Sequence, residues 1–172
     1  MYHEVPAEAD LSASYLPPDS ASFRRVLGRF ATGVTVLATL GRNGIQATTA
    51  NAFTAVSLDP PLVLVCLHHQ SLLLEEIGVS GRFSVNVLAA DQEHVALSMS
   101  RKGRAPQQTP GVSWFSDRNG LPLLHGALAH VHCAVEERIA GGDHQIVLGR
   151  VLAMDSHDGQ PLVFVDGRFL AD

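Results

Sequence analysis

Short apolar runs separated by turn residues dominate the chain from Gly33 onward. FSVNVL at 83–88 alternates apolar and polar positions with the period of two that is typical of β-strands. LVLVCL at 62–67 is apolar at every position, which predicts a strand buried on both faces. The other predicted strands lie at 34–40, 45–53, about 127–139, 145–154 and 161–165, with Asn43 and Gly44 as a hairpin turn between the first two. Strands this short and evenly spaced predict a closed or nearly closed β-barrel.

Helical spacing of apolar residues occurs in three segments. The first helix follows the possible caps Asp19, Ser20 and Ser22 and ends near Gly33. Its apolar face consists of Phe23, Val26, Leu27 and Phe30. Two short helices are predicted among the strands, SLLLEEIG with Ser71 as its cap and DQEHVALSMS with Asp91 as its cap.

Length and composition predict one domain. The 172 residues are 46% hydrophobic, which is enough for a single buried core. Residues 1–19 are rich in Ala, Ser, Pro and acidic residues and show no periodicity. We expect them to form a flexible arm before a domain at 20–172.

Charge, cysteine content and apolar runs indicate which partners and which cellular compartment to expect. The net charge of -5 and the pI near 5.9 argue against binding to nucleic acid, because such proteins need a basic face. Cys66 and Cys133 lie within apolar runs and do not suggest a disulfide framework, which favours a reducing compartment. The first ten residues do not read as a signal peptide, and no apolar run approaches membrane-spanning length. We therefore expect a cytoplasmic protein without membrane contact.

Four familiar motifs do not occur in the sequence. Nicotinamide enzymes often carry a glycine-rich turn, but there is neither GxGxxG nor GxxxxGK followed by Ser or Thr, which argues against a Rossmann domain. There is also no GxSxG and no HExxH, which argues against the α/β-hydrolase and zinc-protease classes.

The stretch ATTANAFTAVSLDPPLVLVCL at 47–67 combines small polar residues with a wholly apolar strand. Small residues let a ligand approach the backbone, and Thr48, Thr49 and Asn51 offer hydroxyl and amide groups to the polar edge of a planar heterocycle. A well-packed barrel strand followed by an ordinary turn has the same residue types. Composition leaves both interpretations open.

Several motifs in order resemble the short-chain flavin reductase family of the FMN-binding split-barrel fold, over roughly residues 20–170. They are FRRVLGRFATGVTVLAT, ATTANAFTAVSLDPPLVLVCL, SGRFSVNVLAADQE, GDHQIVLGRV and PLVFVDGRF. The resemblance implies a mainly β, Greek-key-like six-stranded barrel with a few short helices. It also implies a homodimer that transfers a hydride from NADH or NADPH to FMN or FAD and supplies reduced flavin to a partner monooxygenase, as the reductase component of a two-component system.

The resemblance places the flavin against two segments, TTAN and CLHHQS. It implies flavin contacts at Thr49, Ala50, Asn51, Cys66, Leu67 and Ser71. Ser71 begins a helix, so its hydroxyl and the following free N–H groups can bind the flavin phosphate, or the residue is a plain cap.

Further positions are assigned to cofactor binding with alternatives left open. Arg82 and Phe83 fit a phosphate contact and a ring contact, but equally a surface arginine and a core phenylalanine. SMSRKGRAPQ at 98–107 is the one locally basic loop and can neutralise phosphates, although most such loops are only solvated. Phe169 covers the flavin or fills the barrel mouth. The remaining assigned positions are Thr35, Thr48, Ser57, His68, Ser100, Arg101 and Lys102.

The turn GGDH before the strand at 145–154 predicts the nicotinamide side of the site. Gly141 and Gly142 permit an open turn from which Asp143 and His144 project. The resemblance implies that this turn faces the nicotinamide nucleotide, with His144 as the catalytic-site residue and Asp143 orienting its ring. A surface turn histidine is the alternative.

A metal enzyme is the main competing hypothesis. GALAHVHCAVEERIAGG places His130 and His132 on one face of a strand with Glu136 beyond them, which resembles the first metal motif of cupin oxygenases. The tail lacks a second cupin motif, so we expect no catalytic metal centre. His130 and His132 leave open a wetter barrel face or an incidental metal affinity.

A third class is a split barrel that binds flavin or haem without turnover. The Gly-Asp-His turn discriminates between such a binder and a reductase, because a binder has no need of a histidine that faces a nucleotide.

Overall fold

The computed structural model describes residues 16–101, 103 and 105–170. Its α-helices are α1 (Ser20–Leu27), α2 (Leu72–Ser80) and α3 (Glu93–Met99). Its strands are β1 (Thr32–Gly33), β2 (Thr35–Gly41), β3 (Gly44–Ala50), β4 (Phe53–Leu58), β5 (Pro61–His68), β6 (Arg82–Val87), β7 (Trp114–Ser116), β8 (Pro122–Leu124), β9 (Ala129–Gly141), β10 (His144–Ser156), β11 (Val163–Val165) and β12 (Arg168–Phe169). Short 3₁₀ turns lie at Ala90–Gln92 and Pro106–Gln108. The predicted arm at 1–19 lies mostly outside the described residues.

Seven strands form one antiparallel sheet in the order β3-β2-β6-β9-β10-β5-β4. The sheet curls, because β3 at one edge also contacts β5 near the other. The mainly β fold with short helices is confirmed. The sheet has seven strands, whereas the resemblance implies a six-stranded barrel. The predicted strand at 45–53 ends at Ala50, and a separate strand, β4, covers Phe53–Leu58.

α1 begins at a side-chain cap, whereas α3 begins after Gln92 and not at the predicted cap Asp91. The Asp19 carboxylate accepts a hydrogen bond of 2.8 Å from the Ser22 N–H and starts α1, as predicted. The helix ends at Gly28, before the predicted stop at Gly33. No residue of α1 is buried, so its apolar face lies open. Within the described ranges, no helix combines the length and the apolar character needed to span a membrane.

Two hairpins place the loops that matter for the site. β2 and β3 join through Arg42 and Asn43, one residue earlier than the predicted Asn-Gly turn. β9 and β10 join through Gly142 and Asp143. Gly142 has a φ of 65°, which fits the first central position of a tight type II′ hairpin turn that favours glycine.

Two apolar clusters fill the inside of the fold. One lies between the sheet and α2, and its largest members are Leu37, Val65, Ile77, Phe83 and Val147. The other packs α3 against the segment after β8 and the C-terminal strands, and its members include Val36, Leu88, Val95, Leu124 and Leu162. Buried Asn86 links the two regions, because its amide donates to the Val36 carbonyl (2.9 Å) and accepts from the Leu124 N–H (2.8 Å).

Gly149 lets the Phe83 ring approach β10. A Cβ atom at Gly149 would lie 2.7 Å from Phe83 Cζ and 3.2 Å from Cys133 Cβ. The β9–β10 register shifts between Leu148 and Gly149, so the strand bends where the ring approaches. The close contact therefore requires glycine at this position.

We expect Gly149→Ala to lower the free energy of unfolding by about 1–3 kcal/mol, because the added methyl group overpacks against Phe83. Urea unfolding monitored by circular dichroism measures the change. Gly33→Ala is the matched control: a Cβ there meets nothing within 4 Å, and we expect a change within about 0.5 kcal/mol. Equal losses in both variants would contradict the packing explanation.

Candidate functional site

We use the word groove for the region between the end of β3 and the end of β5. The small residues of β3 lie on one side of it, and their hydroxyl groups are partly used inside the protein. Thr49 Oγ1 donates to the Ala96 carbonyl of α3 at 2.6 Å, and Thr35 Oγ1 donates to the Ala50 carbonyl at 2.6 Å. Thr48, Thr49 and Ala50 are half-buried. Thr35 is only 3% exposed, and its side chain supports the end of β3 from behind.

The structure brings the two predicted flavin segments together. The chain leaves β3 at the exposed residues Asn51 and Ala52, and the Ala52 carbonyl accepts a hydrogen bond of 3.1 Å from the Cys66 N–H. Asn51 makes one long hydrogen bond of 3.3 Å, from Nδ2 to Thr32 Oγ1. Its amide therefore stays largely open to a ligand at the rim of the groove.

The end of β5 forms the opposite wall. Cys66 is half-buried, whereas Leu67 is buried in the core with Leu73 and Leu74. Leu67 can therefore offer a ligand its main chain rather than its side chain. His68 is exposed at the end of the strand, and the Ser71 N–H donates to the His68 carbonyl at 2.9 Å.

Ser71 is the cap of α2, as predicted, but its hydroxyl does not cap the helix. The residue has extended backbone angles, and its side chain makes no hydrogen bond to the first turn of α2. The hydroxyl and the N–H groups that begin the helix are thus available to an anion, which the positive end of the helix dipole favours. These donors fit a phosphate group of FMN or FAD.

The Gly-Asp-His turn lies directly beside the end of β5. In the β5–β10 register His144 is opposite His68, and the two rings meet edge to face with centroids 5.3 Å apart. His69 fastens the turn: its N–H donates to the Asp143 carbonyl at 3.1 Å, and its Nε2 lies 2.9 Å from the Gly142 carbonyl. The anchoring role of His69 was not assigned from the sequence, where the only signal is a histidine directly after an apolar strand.

Asp143 orients the His144 ring. Its Oδ1 lies 2.7 Å from His144 Nδ1, and this hydrogen bond, with the nearby imidazole charge, lowers the pKa of the Asp143 carboxyl below its ordinary value. The bond leaves Nε2 as the ring nitrogen that can meet a ligand. The His144 side chain is 43% exposed, so it is accessible at the groove.

Arg82 and Phe83 do not join this groove. Phe83 has no exposed surface and packs in the core, which favours the core alternative. Arg82 is exposed, but it follows α2, whose nine residues separate it from Ser71 by about 13 Å. It lines a different cavity, of about 340 Å³, together with Asp117 and His132.

The remaining predicted contacts are spread over several elements. Ser57 is half-buried on β4, and Ser100 and Arg101 are exposed directly after α3, the helix that holds Thr49. Lys102 lies outside the described residues. The half-buried Phe169 stacks edge to face on Phe164 at 5.2 Å and packs against the second core cluster, which favours the barrel-filling alternative.

The three residues of the cupin hypothesis do not converge on one ion. His130 Nδ1 lies 2.8 Å from Asp155, and His132 Nδ1 lies 2.9 Å from Asp117. Glu136 accepts two hydrogen bonds from Arg150, at 2.8 and 2.6 Å, and they lower the pKa of its carboxyl. The sequence resembles the cupin motif only because alternate residues of a strand share one face. Each of the three side chains has a separate hydrogen-bond partner.

Comparison with known proteins gives consistent results. Residues 27–171 match the family described as flavin reductase like domain. An NADH-dependent flavin reductase of a Rhodococcus species is 42% identical over 149 residues, covering 85% of this chain and 82% of that protein. HsaB of Rhodococcus jostii, the reductase subunit of a flavin-dependent monooxygenase, is 36% identical over 167 residues, covering 96% and 84%.

A solved structure has the same fold. The NADH:FAD oxidoreductase SgcE6 of Streptomyces globisporus, in complex with NAD and FAD fragments, superposes with a TM-score of 0.83 and 36% identity. The match covers 92% of this chain and 97% of that one. The split-barrel fold expected from the motifs is thereby confirmed.

Proposed function

This chain belongs to the family of flavin reductase like domains, and from that premise we propose how its own residues hold a flavin and a nicotinamide nucleotide. The chain is a flavin reductase that uses NADH to reduce FMN or FAD. A bound flavin supplies the ring that accepts the hydride, and the protein binds, orients and shields the two rings.

The flavin lies in the groove between the end of β3 and the end of β5. Thr48, Thr49, Ala50 and Asn51 line one side, and Cys66, His68 and the main chain of Leu67 line the other. Small side chains on β3 leave room for a planar ring. The observation that carries this assignment is the free hydroxyl of Ser71 at the start of α2, which offers a phosphate anchor at the end of the same groove.

The nicotinamide nucleotide lies against the Gly-Asp-His turn. His69 holds this turn against the end of β5, so a ligand at His144 is necessarily next to a ligand between Asn51 and Ser71. Asp143 fixes the His144 ring, and His144 Nε2 then binds the carboxamide or a phosphate of the nucleotide. Ser100 and Arg101 add polar and basic groups at the rim.

The competing functions receive no support. His130, His132 and Glu136 are held by separate partners, so a cupin-like oxygenase has no metal centre at those residues. A binder without turnover does not account for a histidine fixed by an aspartate beside the flavin groove.

Reduced flavin leaves the protein for a partner monooxygenase. Asn51, Ala52 and His68 at the groove are exposed, which favours exchange of the flavin with solvent. HsaB, a relative of similar length, is the reductase subunit of such an enzyme. The identity of the partner and of its organic substrate is not encoded in this groove.

The protein works as a homodimer. Phe23, Val26, Leu27 and Phe30 on and after α1 are each more than half exposed. An apolar face of this kind on a short helix is stabilised when a second copy of the chain covers it.

Both cysteines are free thiols, which supports a reducing compartment such as the cytoplasm. Burial raises the pKa of the Cys133 thiol to about 12.

Replacement of Ser71 tests the phosphate anchor. We expect Ser71→Asp to weaken FMN binding at least about tenfold, because a carboxylate at the helix start repels the phosphate and occupies the N–H groups. Riboflavin has no phosphate, so its dissociation constant stays within about twofold. Titration of flavin fluorescence measures both constants.

Two controls accompany this variant. Aspartate is a good helix cap, so the melting temperature does not fall. Ser113→Asp places the same charge on an exposed residue outside the groove and leaves both flavin affinities unchanged. Equal losses of FMN and riboflavin binding in Ser71→Asp would show that the phosphate is not held at Ser71.

Replacement of His144 tests the nucleotide position. We expect His144→Ala to raise the KM for NADH about tenfold, because one positioned hydrogen bond to the nucleotide is lost, and to leave the flavin dissociation constant within about twofold. Steady-state loss of NADH absorbance and flavin titration give the two values. His125→Ala removes an exposed histidine outside the groove and serves as the matched control. An unchanged KM and kcat in His144→Ala would rule out the assignment.

The dimer is tested by sedimentation equilibrium. We expect the wild-type protein to have twice the chain mass of 18.4 kDa. Phe23→Ser combined with Phe30→Ser removes most of the apolar face of α1 and gives the monomer mass, whereas Val79→Ser, at another exposed apolar residue, stays dimeric. A monomeric wild type, or a dimeric double variant, would contradict the interface.

A further inference from the structure

Three metal-ligating side chains converge at the end of the β9–β10 hairpin that is opposite the Gly-Asp-His turn. His130 begins β9, Asp155 lies near the end of β10, and His157 follows that strand. Their ligand atoms all lie within 4.8 Å of one another. Asp155 Oδ1 is 2.8 Å from His130 Nδ1 and 3.4 Å from His157 Nε2.

The buried His130 ring is held in the orientation of a metal ligand. Its side chain is 4% exposed, and its Nε2 lies 2.9 Å from the Leu124 carbonyl, to which it donates a hydrogen bond. Nδ1 faces the Asp155 carboxylate, 2.8 Å from Oδ1, so the ring nitrogen that can bind a metal ion points into the cluster. A backbone carbonyl that fixes the second ring nitrogen is the usual outer partner of a metal-bound histidine.

A main-chain hydrogen bond fixes the position of His157 in the chain. Its main-chain N–H donates to the Leu128 carbonyl at 2.7 Å, which fastens the chain after β10 to the residue before β9. The His130 and His157 rings lie 75° apart, with centroids separated by 6.0 Å. Both rings therefore approach the same Asp155 carboxylate from different directions.

We propose that His130, Asp155 and His157 form a binding site for a divalent transition-metal ion of the Zn²⁺ class. Zinc ligands at about 2.0–2.1 Å in a tetrahedron lie about 3.3 Å from one another. The separation of 3.4 Å between Asp155 and His157 already matches this value, and the exposed Asp155 carboxylate can move the few tenths of an ångström that the His130 contact requires. Water completes the coordination from the open side, where Asp155 and His157 are half-exposed or more.

The ion has a structural role that is separate from flavin chemistry. It joins the start of β9 to the end of β10, and it lies about 35 Å along β9 from the Gly-Asp-His turn. Phe115 packs edge to face on His130 at 5.5 Å and shields the inner side of the site. The ion therefore stabilises this end of the hairpin and takes no part in hydride transfer.

The experiment uses the full chain without a histidine tag, freed of metal with a chelator. Zn²⁺ is titrated in competition with a chromogenic zinc indicator, and Co²⁺ absorption reports the coordination geometry. We expect one Zn²⁺ per chain with a dissociation constant of about 10 µM or tighter, and a visible Co²⁺ band of tetrahedral intensity. Flavin affinity stays the same with and without Zn²⁺.

Variants at the exposed ligands decide the assignment. Asp155→Asn and His157→Ala each lower the Zn²⁺ affinity at least about tenfold and abolish the Co²⁺ band. His94→Ala, an exposed histidine on α3 outside the cluster, is the matched control and leaves both unchanged. No binding tighter than about 100 µM, or binding that survives both ligand variants, would overturn the site. Circular dichroism of each variant confirms that the fold is retained.

Discussion

The attachment of the β9–β10 turn to the end of β5 is the constraint on which the whole site depends. His69 holds the turn through the carbonyls of Gly142 and Asp143, and the antiparallel register then places His144 opposite His68. α2 begins just beyond, at Ser71, which is the proposed phosphate anchor. A slip of one residue between β5 and β10 would turn His144 to the other face of the sheet. The nucleotide position is therefore a consequence of strand pairing.

Polar side chains near the groove divide into those that build it and those that remain open to a ligand. The hydroxyls of Thr35 and Thr49 donate to the main chain of β3 and α3, which fixes the wall of the groove. The Asn51 amide and the Ser71 hydroxyl are left with weak protein partners or none in the described region. Preorganised walls with a few open polar groups are what a planar cofactor requires, since ordering the site costs no free energy on binding.

An acidic protein can bind anionic nucleotides because the local field differs from the net charge of -5. Acidic groups are paired within the chain: Asp143 with His144, and Glu136 with Arg150. The start of α2 contributes partial positive charge, and Glu75, the acidic residue of its first turn, is paired with Arg42. Anion binding thus depends on the charges within a few ångströms of the anion and not on the net charge of the protein.

The sequence by itself determined the period of the strands, the starts of α1 and α2, the hairpin at Gly142 and, through motifs in order, the family and its cofactors. These are local properties, because propensity, turn chemistry and motif order are read from neighbouring residues. Only the tertiary structure decided where side chains point. Phe83 is a core residue because the distant Gly149 makes room for its ring, and His130 meets Asp155, 25 residues away, instead of Glu136. Such pairings depend on register and packing between elements far apart along the chain, which residue types and spacing do not encode.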